Sequence, residues 1–443
     1  MRSQPMTKIT EVRVTPILIS DPPLLNIQGV HQPYAPRLII EVETAAGVLG
    51  LGETYGDTDF LNLANEFAPR LVGSSLSVND LESTVRQCAE QIELSRIDTG
   101  VRAGGLRGAR TIAKTARSVA SAFEVAIYDA LGQETGLPVH ALLGGKVRDS
   151  VEFSAYLFYR WAEHPSTGSG SSGEGGSEIP DEGLPKDDWG AALDPEGVVA
   201  QARRMVRDYG FGSFKLKGGV FEPAQEVAAV KALAEAFPGH PVRLDPNGAW
   251  SVATSLRVAA ELESIAEYLE DPTTGTEQMA EVARGTSLPL ATNMCVTSFE
   301  EIPHAFATDA VQVVLSDHHY WGGLRATQEL AAICRTFGVG LSMHSNTHLG
   351  VSLAAMTQVA ATIPTLRYAC DTHRPWQTED VITEPHTFVD GRLPVTDAPG
   401  LGVELDHDQL HRLHQRWLDL PIRDRDDAAA IRRVHPNWTE PRW

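Results

Sequence analysis

The sequence predicts an α/β protein whose main domain is a closed β/α barrel, preceded by a smaller α+β domain. Eight short apolar runs lie between residues 151 and 371, and most are followed by an amphipathic helical stretch that ends at Gly, Pro or a polar break. This rhythm matches a closed barrel better than an open sheet. An open doubly wound sheet would also carry a Gly-rich phosphate loop after its first strand, and the sequence has none there.

The N-terminal region, residues 1–145, begins with strand-like alternation in ITEVRVTPILI and RLIIEVET. Helical periodicity follows around residues 59–93 and 109–132, which gives the α+β order of strands before helices. The barrel is predicted over residues 146–385. Its predicted strands are 151–158, 213–217, 241–245, 266–270, 288–293, 311–317, 338–344 and 365–371.

Two segments depart from the barrel rhythm. Residues 165–185 are rich in Gly and Ser, which predicts a loop between the first barrel strand and its helix. A tolerated insertion is favoured over a functional lid. Residues 386–443 lose the β/α alternation, and we expect them to return to the N-terminal domain.

Composition restricts the classes of partner. The 443 residues include 37 Lys and Arg against 58 Asp and Glu, a net charge of −21, which argues against a nucleic-acid or membrane surface. The four cysteines form no C-x-x-C pair, so reduced thiols and a cytoplasmic location are expected. The sequence contains neither a signal-peptide core nor a run of 18 apolar residues.

Polar residues close strand after strand of the predicted barrel, and such strand ends face one mouth. Asp245, Glu270 and Asn293 end three consecutive strands, so they offer three oxygen ligands on one arc. Hard oxygen ligands without Cys or His suit Mg²⁺. The simpler alternative, that each acidic residue caps the following helix, is weaker for three in succession. Glu277, seven residues after Glu270, is a rival for the middle ligand.

Lys215 and Lys217 occupy alternate positions of SFKLK and therefore share one face of a strand. Helices cover the outside of a barrel, so we expect both lysines to face the mouth. Near a metal ion and a second lysine, the ammonium form is disfavoured and a lysine can act as a base.

Asp317 and His344 end two adjacent strands on the other side of the mouth. A carboxylate beside an imidazole fixes its tautomer and supports a general base that later donates its proton. A zinc hydrolase is a weak alternative, because such barrels usually carry H-x-H on the first strand and residues 151–158 contain no histidine. Two opposed bases and a carboxylate-bound metal indicate removal of a proton α to a substrate carboxylate.

These motifs resemble the enolase superfamily, and within it the glucarate dehydratases of the mandelate racemase type. The resemblance covers nearly the whole chain. It rests on K-L-K (215–217), D-P-N-G-A-W (245–250), L-E-D-P (269–272), A-T-N-M (291–294), L-S-D (315–317), H-S-N-T-H (344–348), D-T-H (371–373) and P-G-L-G-V-E-L-D (399–406).

The resemblance implies a modified (β/α)8-type barrel, (β/α)7β, under an α+β cap that the C-terminal tail completes. It implies that Lys217 is the base on one face and that His344, oriented by Asp317, is the base and acid on the other. Lys215 would support the substrate carboxylate and tune Lys217. The implied reaction is Mg²⁺-dependent dehydration of a six-carbon aldarate to a 4-deoxy-5-keto acid, with a symmetric homo-oligomer expected.

The resemblance also implies a set of substrate-contacting residues from the barrel and the cap. They are Asn26, His31, Tyr156, Asn247, Ser345, Asn346, His373 and Arg425. At one further position the family has a threonine and this sequence has Ala103, so the accepted epimer is open. The alternatives are another aldarate or aldonate dehydratase, an epimerase, or a non-catalytic paralogue that binds a sugar acid.

Overall fold

The computed structural model describes residues 7–79, 83, 102–105, 108–165 and 184–443. The N-terminal region contains an antiparallel sheet in the order β1 (Ile9–Ser20), β4 (Tyr34–Thr44) and β5 (Leu49–Tyr55). Two small hairpins accompany it. They are β2 (Leu25–Asn26) with β3 (Gly29–Val30), and β6 (Arg102–Gly105) with β7 (Gly108–Arg110).

The described part of this region also contains the helices α1 (Thr58–Leu71), α2 (Ile112–Thr135) and α3 (Val139–Leu142). The long helix α2 packs closely on β5 because that strand carries Gly50 and Gly52. A Cβ atom at either glycine would lie 2.0 Å from a backbone oxygen of α2. We call this sheet with its helices the cap.

Eight parallel strands form the barrel, and each pairs with its neighbour in the order of the chain from β8 to β14, with β15 beside β8. They are β8 (Ser150–Phe158), β9 (Phe214–Lys217), β10 (Val242–Asp245), β11 (Tyr268–Glu270), β12 (Leu290–Thr292), β13 (Val313–Ser316), β14 (Gly340–Met343) and β15 (Cys370–Thr372). A parallel bridge joins Leu341 of β14 to Leu366, which lies just before β15. Ser342 Oγ also donates to the carbonyl of Ala369 at 3.0 Å, so β14 lies next to the segment that leads into β15.

Helices separate the strands, and several begin at a side-chain cap. Asp194 accepts from the amide of Gly197 at the start of α4, and Ser251 accepts from Thr254 at the start of α6. The helices are α4 (Pro195–Tyr209), α5 (Pro223–Ala236), α6 (Val252–Leu262), α7 (Thr276–Arg284), α8 (Ile302–Ala307), α9 (His318–Trp321), α10 (Leu324–Phe337) and α11 (Gly350–Ala361). A 3-10 turn, Arg374–Trp376, follows the eighth strand. The predicted (β/α)7β barrel with its α+β cap is therefore confirmed.

The C-terminal segment contacts both parts of the molecule. Its first strand, β16 (Arg392–Pro394), pairs antiparallel with barrel strand β8, which the sequence did not predict. Helix α12 (His407–Asp419) packs on cap strand β1, and α13 (Asp427–Arg432) lies beside β3. The domain boundaries at residues 145 and 385 stay predictions.

Two sequence-based expectations concern the chain outside this core. Residues 166–183 of the Gly/Ser-rich segment lie outside the described residues. Within the described part of the chain, no helix combines the length and the apolar character that crossing a membrane requires.

Candidate active site

Lys215 and Lys217 both point into the barrel, as the alternation of β9 requires. Lys217 Nζ donates to Asp245 Oδ2 at 2.7 Å. Lys215 Nζ donates to Glu270 Oε1 and to Asp371 Oδ2, each at 2.7 Å, and lies 3.5 Å from Asp245 Oδ2. Burial opposes the charge on Lys215, but the carboxylates of Asp371 and Glu270 outweigh it and raise its pKa well above the ordinary value. The sequence had predicted a disfavoured ammonium form, because it did not reveal how many carboxylates surround this lysine.

The buried charges around the lysines do not balance. Even if both lysines are counted as cations, two positive charges face the three carboxylates of Asp245, Glu270 and Asp371, and each of these carboxylate residues is 0–1% exposed. Burial raises the pKa of Glu270 well above its ordinary value. Lys215 lowers this pKa, but the like charges of Asp245 and Asp371 raise it. One positive charge is therefore missing from this part of the site.

Asn293 follows β12 directly and joins the same cluster. Its Nδ2 donates to Glu270 Oε1 at 2.9 Å, and its backbone N–H donates to Asp271 Oδ2 at 2.8 Å. Asp271 has a left-handed backbone, with φ of 39°, and burial raises its pKa to about 7. Asp271 thus holds the loop that presents Asn293.

Glu277 is not part of the cluster. Its side chain is 81% exposed on the first turn of α7, where its Oε1 lies 3.1 Å from Nε2 of His304. The extra residues after β11 carry the chain out of the mouth and into the helix. Between the two glutamates that the sequence left open, the structure brings only Glu270 to Asp245 and Asn293.

This donor set fits a hard divalent cation. Asp245, Glu270 and Asn293 offer oxygen atoms, and the buried Glu270 Oε2 has no hydrogen-bond partner among the described residues. A divalent cation would supply the charge that the carboxylate excess lacks. Chemistry and charge balance therefore both favour a metal ion at this position.

Asp317 and His344 meet on the other side of the mouth, as predicted from their strands. Nδ1 of His344 lies 3.2 Å from Asp317 Oδ2. Burial works against the Asp317 carboxylate, but the imidazoles of His319 and His348 outweigh it and hold the pKa of Asp317 well below its ordinary value. Burial lowers the pKa of His344 despite Asp317. The dyad thus pairs an ionised carboxylate with an imidazole that is neutral near pH 7.

Asp317, His319 and His348 form a second group that could hold a metal ion, with one ligand atom from each within 4.8 Å of the others. However, both ring nitrogens of His319 already have partners. Nδ1 lies 2.8 Å from Asp317 Oδ1, and Nε2 lies 3.0 Å from the carbonyl oxygen of Glu53. Two imidazoles also suit a softer transition metal better than Mg²⁺. The contacts of this group serve the dyad instead.

A cleft connects the two sides of the mouth, with Lys217 on one side and His344 on the other. Nine of the predicted site residues line it: Asn26, His31, Tyr156, Lys217, His344, Ser345, Asn346, His373 and Arg425. Phe158 and Thr347 complete the lining, and the sequence had not singled them out. Asn247 lies beside the cluster, where its backbone N–H donates to Asp245 Oδ1 at 3.0 Å.

The cap residues of the cleft are held by acidic side chains. Asn26 Nδ2 donates to Asp427 Oδ2 at 2.8 Å, and Arg425 Nε donates to the same oxygen at 3.0 Å. His31 Nδ1 lies 3.1 Å from Asp21 Oδ1. These contacts bring a guanidinium group and an imidazole from outside the barrel to the lining of the cleft.

Comparison with known proteins agrees with this geometry. Residues 8–144 match the family described as mandelate racemase / muconate lactonizing enzyme, N-terminal domain, and residues 197–409 match the family described as enolase C-terminal domain-like. The chain belongs to the enolase superfamily. It is 64% identical over 441 residues to a probable glucarate dehydratase of Streptomyces coelicolor, covering 98% of this chain and 99% of that protein. Within the superfamily, the chain is a hydro-lyase of the glucarate dehydratase-like group of mandelate racemase-type enzymes.

Two solved structures of superfamily members superpose over nearly the whole chain. One, from Thermobispora bispora, is described as an enolase complexed with magnesium and formate; it is 50% identical, with 99% of each chain covered and a TM-score of 0.90. The other, from Pseudomonas fluorescens, has bound magnesium, potassium and tartrate; it is 47% identical, with 99% of this chain and 100% of that chain covered and a TM-score of 0.91.

Sequence reasoning missed two carboxylates of this superfamily site. Asp371 is the first residue of the D-T-H motif, and its position within the eighth strand could have indicated it. Asp271 directly follows Glu270, so its acidic character was visible but its inward direction was not. Ala103 lies on β6. The effect of alanine at this position on the accepted epimer stays a prediction.

Proposed function

We propose that this superfamily member is an Mg²⁺-dependent acid-sugar dehydratase of the glucarate dehydratase kind. It would remove the proton α to a carboxylate of an aldarate and eliminate the β-hydroxyl to give a 4-deoxy-5-keto acid. The observation that carries the proposal is that Lys217 and His344 line one cleft from strands β9 and β14. A protein that only binds a sugar acid has no use for two proton-transfer groups in one cleft.

Asp245, Glu270 and Asn293 would hold the Mg²⁺. When bound, the ion stabilises negative charge on the substrate carboxylate, which makes the α-proton more acidic. Lys215 lies beside the same carboxylates and adds positive charge to that end of the cleft. The cation Arg425 and the imidazole His31 would accept the far end of the diacid.

The proton transfers follow from the two bases. Lys217 or His344 takes the α-proton, according to the configuration at that carbon, and the electron pair of the C–H bond becomes the enolate of the carboxylate. His344 then gives a proton to the β-hydroxyl; this is the α-proton where His344 removed it, and a proton taken up earlier from solvent where Lys217 removed it. The C–O bond breaks, water leaves, and the resulting enol tautomerises to the keto acid. Asp317 stabilises the imidazolium of His344. Because Asp317 faces Nδ1, the other ring nitrogen, Nε2, points away from Asp317.

A substrate panel tests the proposal. The purified enzyme with Mg²⁺ is incubated in deuterated water with D-glucarate, L-idarate, galactarate and several aldonates, and keto acid and deuterium incorporation are measured. Keto acid from a hexarate supports the dehydratase, and deuterium exchange without keto acid supports an epimerase. If no acid sugar reacts or exchanges, while one stabilises the enzyme against heat, the protein is a binding-only paralogue and the proposal is wrong.

The proposal includes two properties of the whole protein. By analogy with the superfamily we expect a symmetric homo-oligomer, which light scattering of the purified enzyme tests. The scattered cysteines support a cytoplasmic location with reduced thiols, because the three that the structure describes are all free.

A further inference from the structure

Helix α11 starts at the end of the loop that carries His344, and it has no cap from its own sequence. The residue before it, Leu349, cannot accept a hydrogen bond through its side chain. Glu53, on cap strand β5, supplies two of the missing acceptors, and Asp380 Oδ1 supplies a third by accepting from the amide of Gly350 at 2.9 Å. Glu53 Oε1 accepts from the amide of Leu349 at 2.9 Å and its Oε2 from the amide of Ser352 at 2.8 Å. Two of the three hydrogen bonds that cap this barrel helix therefore come from the cap.

Arg37 completes this contact from the neighbouring cap strand. Its Nε donates to Glu53 Oε1 at 3.1 Å, and a second guanidinium nitrogen donates to the same oxygen. Its third nitrogen reaches the carbonyl of Asn346 at 3.5 Å. Arg37 and Glu53 are each 1% exposed, so solvent cannot replace either partner.

The loop between β14 and α11, residues 344–349, needs this support. It holds three residues of the cleft, His344, Ser345 and Asn346. Thr347 has a left-handed backbone with φ of 55°, which a β-branched residue adopts only when its surroundings hold it there. Contacts from outside the loop must therefore maintain its conformation.

The same cap strand also contacts the partner of His344. The carbonyl oxygen of Glu53 lies 3.0 Å from Nε2 of His319, whose other nitrogen faces Asp317. The hydroxyl of Tyr55 donates to Asp317 Oδ2 at 3.4 Å. Strand β5 thus touches both the loop that carries His344 and the carboxylate that orients it.

We infer that Arg37 and Glu53 are positioning residues that hold the 344–349 loop, and through it His344, in the geometry for proton transfer. The expected effect on proton transfer rests on the proposed function. The expected effect on the loop does not, because it concerns only the conformation of residues 344–349. Two measurements test these two effects separately.

The first measurement is amide hydrogen exchange of the full-length protein, for wild type, Glu53→Gln and Arg37→Lys. Glutamine matches glutamate in size, but its amide NH₂ cannot accept from Leu349 or Ser352. We expect exchange in peptides covering residues 344–352 to accelerate about tenfold or more in Glu53→Gln, and less in Arg37→Lys, which keeps the charge. Peptides covering β9 should be unchanged. Unchanged exchange at residues 344–352 in a folded Glu53→Gln protein would overturn the inference.

Glu41→Gln is the matched control. Glu41 is another buried glutamate of the cap, on strand β4, and it pairs with Arg13 at 3.1 Å. This variant reports the general effect of removing a buried carboxylate from the cap. If it accelerates exchange at residues 344–352 as much as Glu53→Gln does, the effect is not specific to the contact and the inference is wrong.

The second measurement compares the two bases in the same enzyme. Deuterium incorporation at the α-carbon is followed with two epimeric substrates, one presenting its proton to His344 and the other to Lys217. For Glu53→Gln we expect about a hundredfold slower exchange on the His344 face and little change on the Lys217 face. An equal loss on both faces would contradict a positioning role. If wild type exchanges no acid sugar, the proposed function fails, while the amide exchange still decides the loop contact.

Discussion

The two sides of the mouth are built differently. On the lysine side, which comprises Lys215, Lys217 and the carboxylates around them, the hydrogen bonds described above join barrel residues to barrel residues. On the histidine side, which comprises His344, Asp317 and the 344–349 loop, contacts from cap strands β4 and β5 add to those from the barrel side.

This difference separates the assembly of the two bases. Strand β9 alone directs both lysines into the barrel, so the lysine side follows from the barrel fold. The histidine side depends on the cap as well, because side chains of β4 and β5 contact both the loop and the dyad. Changes in the cap should therefore affect proton transfer on one face of the substrate more than on the other.

The largest effect is expected from removing either base. His344→Ala should lower dehydration by about ten-thousandfold or more, and Lys217→Ala should do the same for an epimer that presents its α-proton to Lys217, because each removes a proton-transfer group of that reaction. Metal binding should remain in both, since neither residue belongs to the proposed ligand set. The measurements are keto-acid formation and calorimetric titration with Mg²⁺.

Lys231→Ala is the control for loss of a lysine, because Lys231 lies on the surface of α5 and pairs with Glu261. It should keep wild-type turnover. Wild-type turnover in His344→Ala, or in Lys217→Ala with that epimer, would show that the residue is not the base to which we assign the reaction.

An intermediate effect is expected from removing one proposed metal ligand on the lysine side. Asn293→Ala removes one oxygen ligand and should weaken Mg²⁺ binding by about a hundredfold, measured by calorimetry. Glu277→Gln is the matched control, because this exposed side chain lies outside the cluster. Unchanged affinity in Asn293→Ala, or a loss in Glu277→Gln, would remove the distinction that we draw between these residues.

The smallest change in turnover is expected from Glu226→Gln, whose main effect is on the pH dependence of the free energy of unfolding. The carboxylate of Glu226 accepts hydrogen bonds from the amides of Gly219, Val220 and Phe221, in the loop that follows Lys217. A barrel residue therefore supports the lysine side. Burial raises the pKa of Glu226 from 4.5 to about 7, despite these three hydrogen bonds.

The sign of the pH dependence follows from the raised pKa. Between pH 4.5 and 7 the folded state keeps a proton that the unfolded state has released, so this contribution to stability is full below pH 4.5 and is lost as the pH rises through about 7. Denaturant unfolding should show a loss on the order of 3 kcal/mol in wild type over this range that Glu226→Gln lacks. Glu222→Gln, at the exposed start of the same helix, should behave as wild type. Parallel pH profiles for all three proteins would contradict this account.

The sequence was sufficient for most of the lysine side because strand ends have a fixed geometry. In parallel strands the carboxyl ends meet at one edge, so the order of the strands alone predicts that Asp245, Glu270 and Asn293 lie together. Glu277 could not be judged in this way, because a residue in the loop after a strand has no fixed direction. The exact start of α7 decides that Glu277 points outward.

The supports of the histidine side could not be predicted from the sequence. Arg37 and Asn346 are 309 positions apart, and Glu53 and Leu349 are 296 apart. No local pattern links such distant residues, and a charged residue within a strand is more often exposed than paired across domains. Only the packing of the cap on the barrel shows that both side chains are buried.

The contact between β1 and α12 has a consequence for the order in which the protein is made. His414 Nδ1 lies 2.7 Å from the carbonyl oxygen of Pro16, and Arg416 donates to that of Leu18 at 3.1 Å. The contact between β1 and α12 can therefore form only after about 400 further residues have been synthesised, which takes on the order of 20–80 s at typical rates. During that time the apolar side chain of Leu18 lacks its partner Ile422. We expect nascent chains released before residue 407 to expose this strand to a hydrophobic dye and to aggregate, whereas chains of full length do neither.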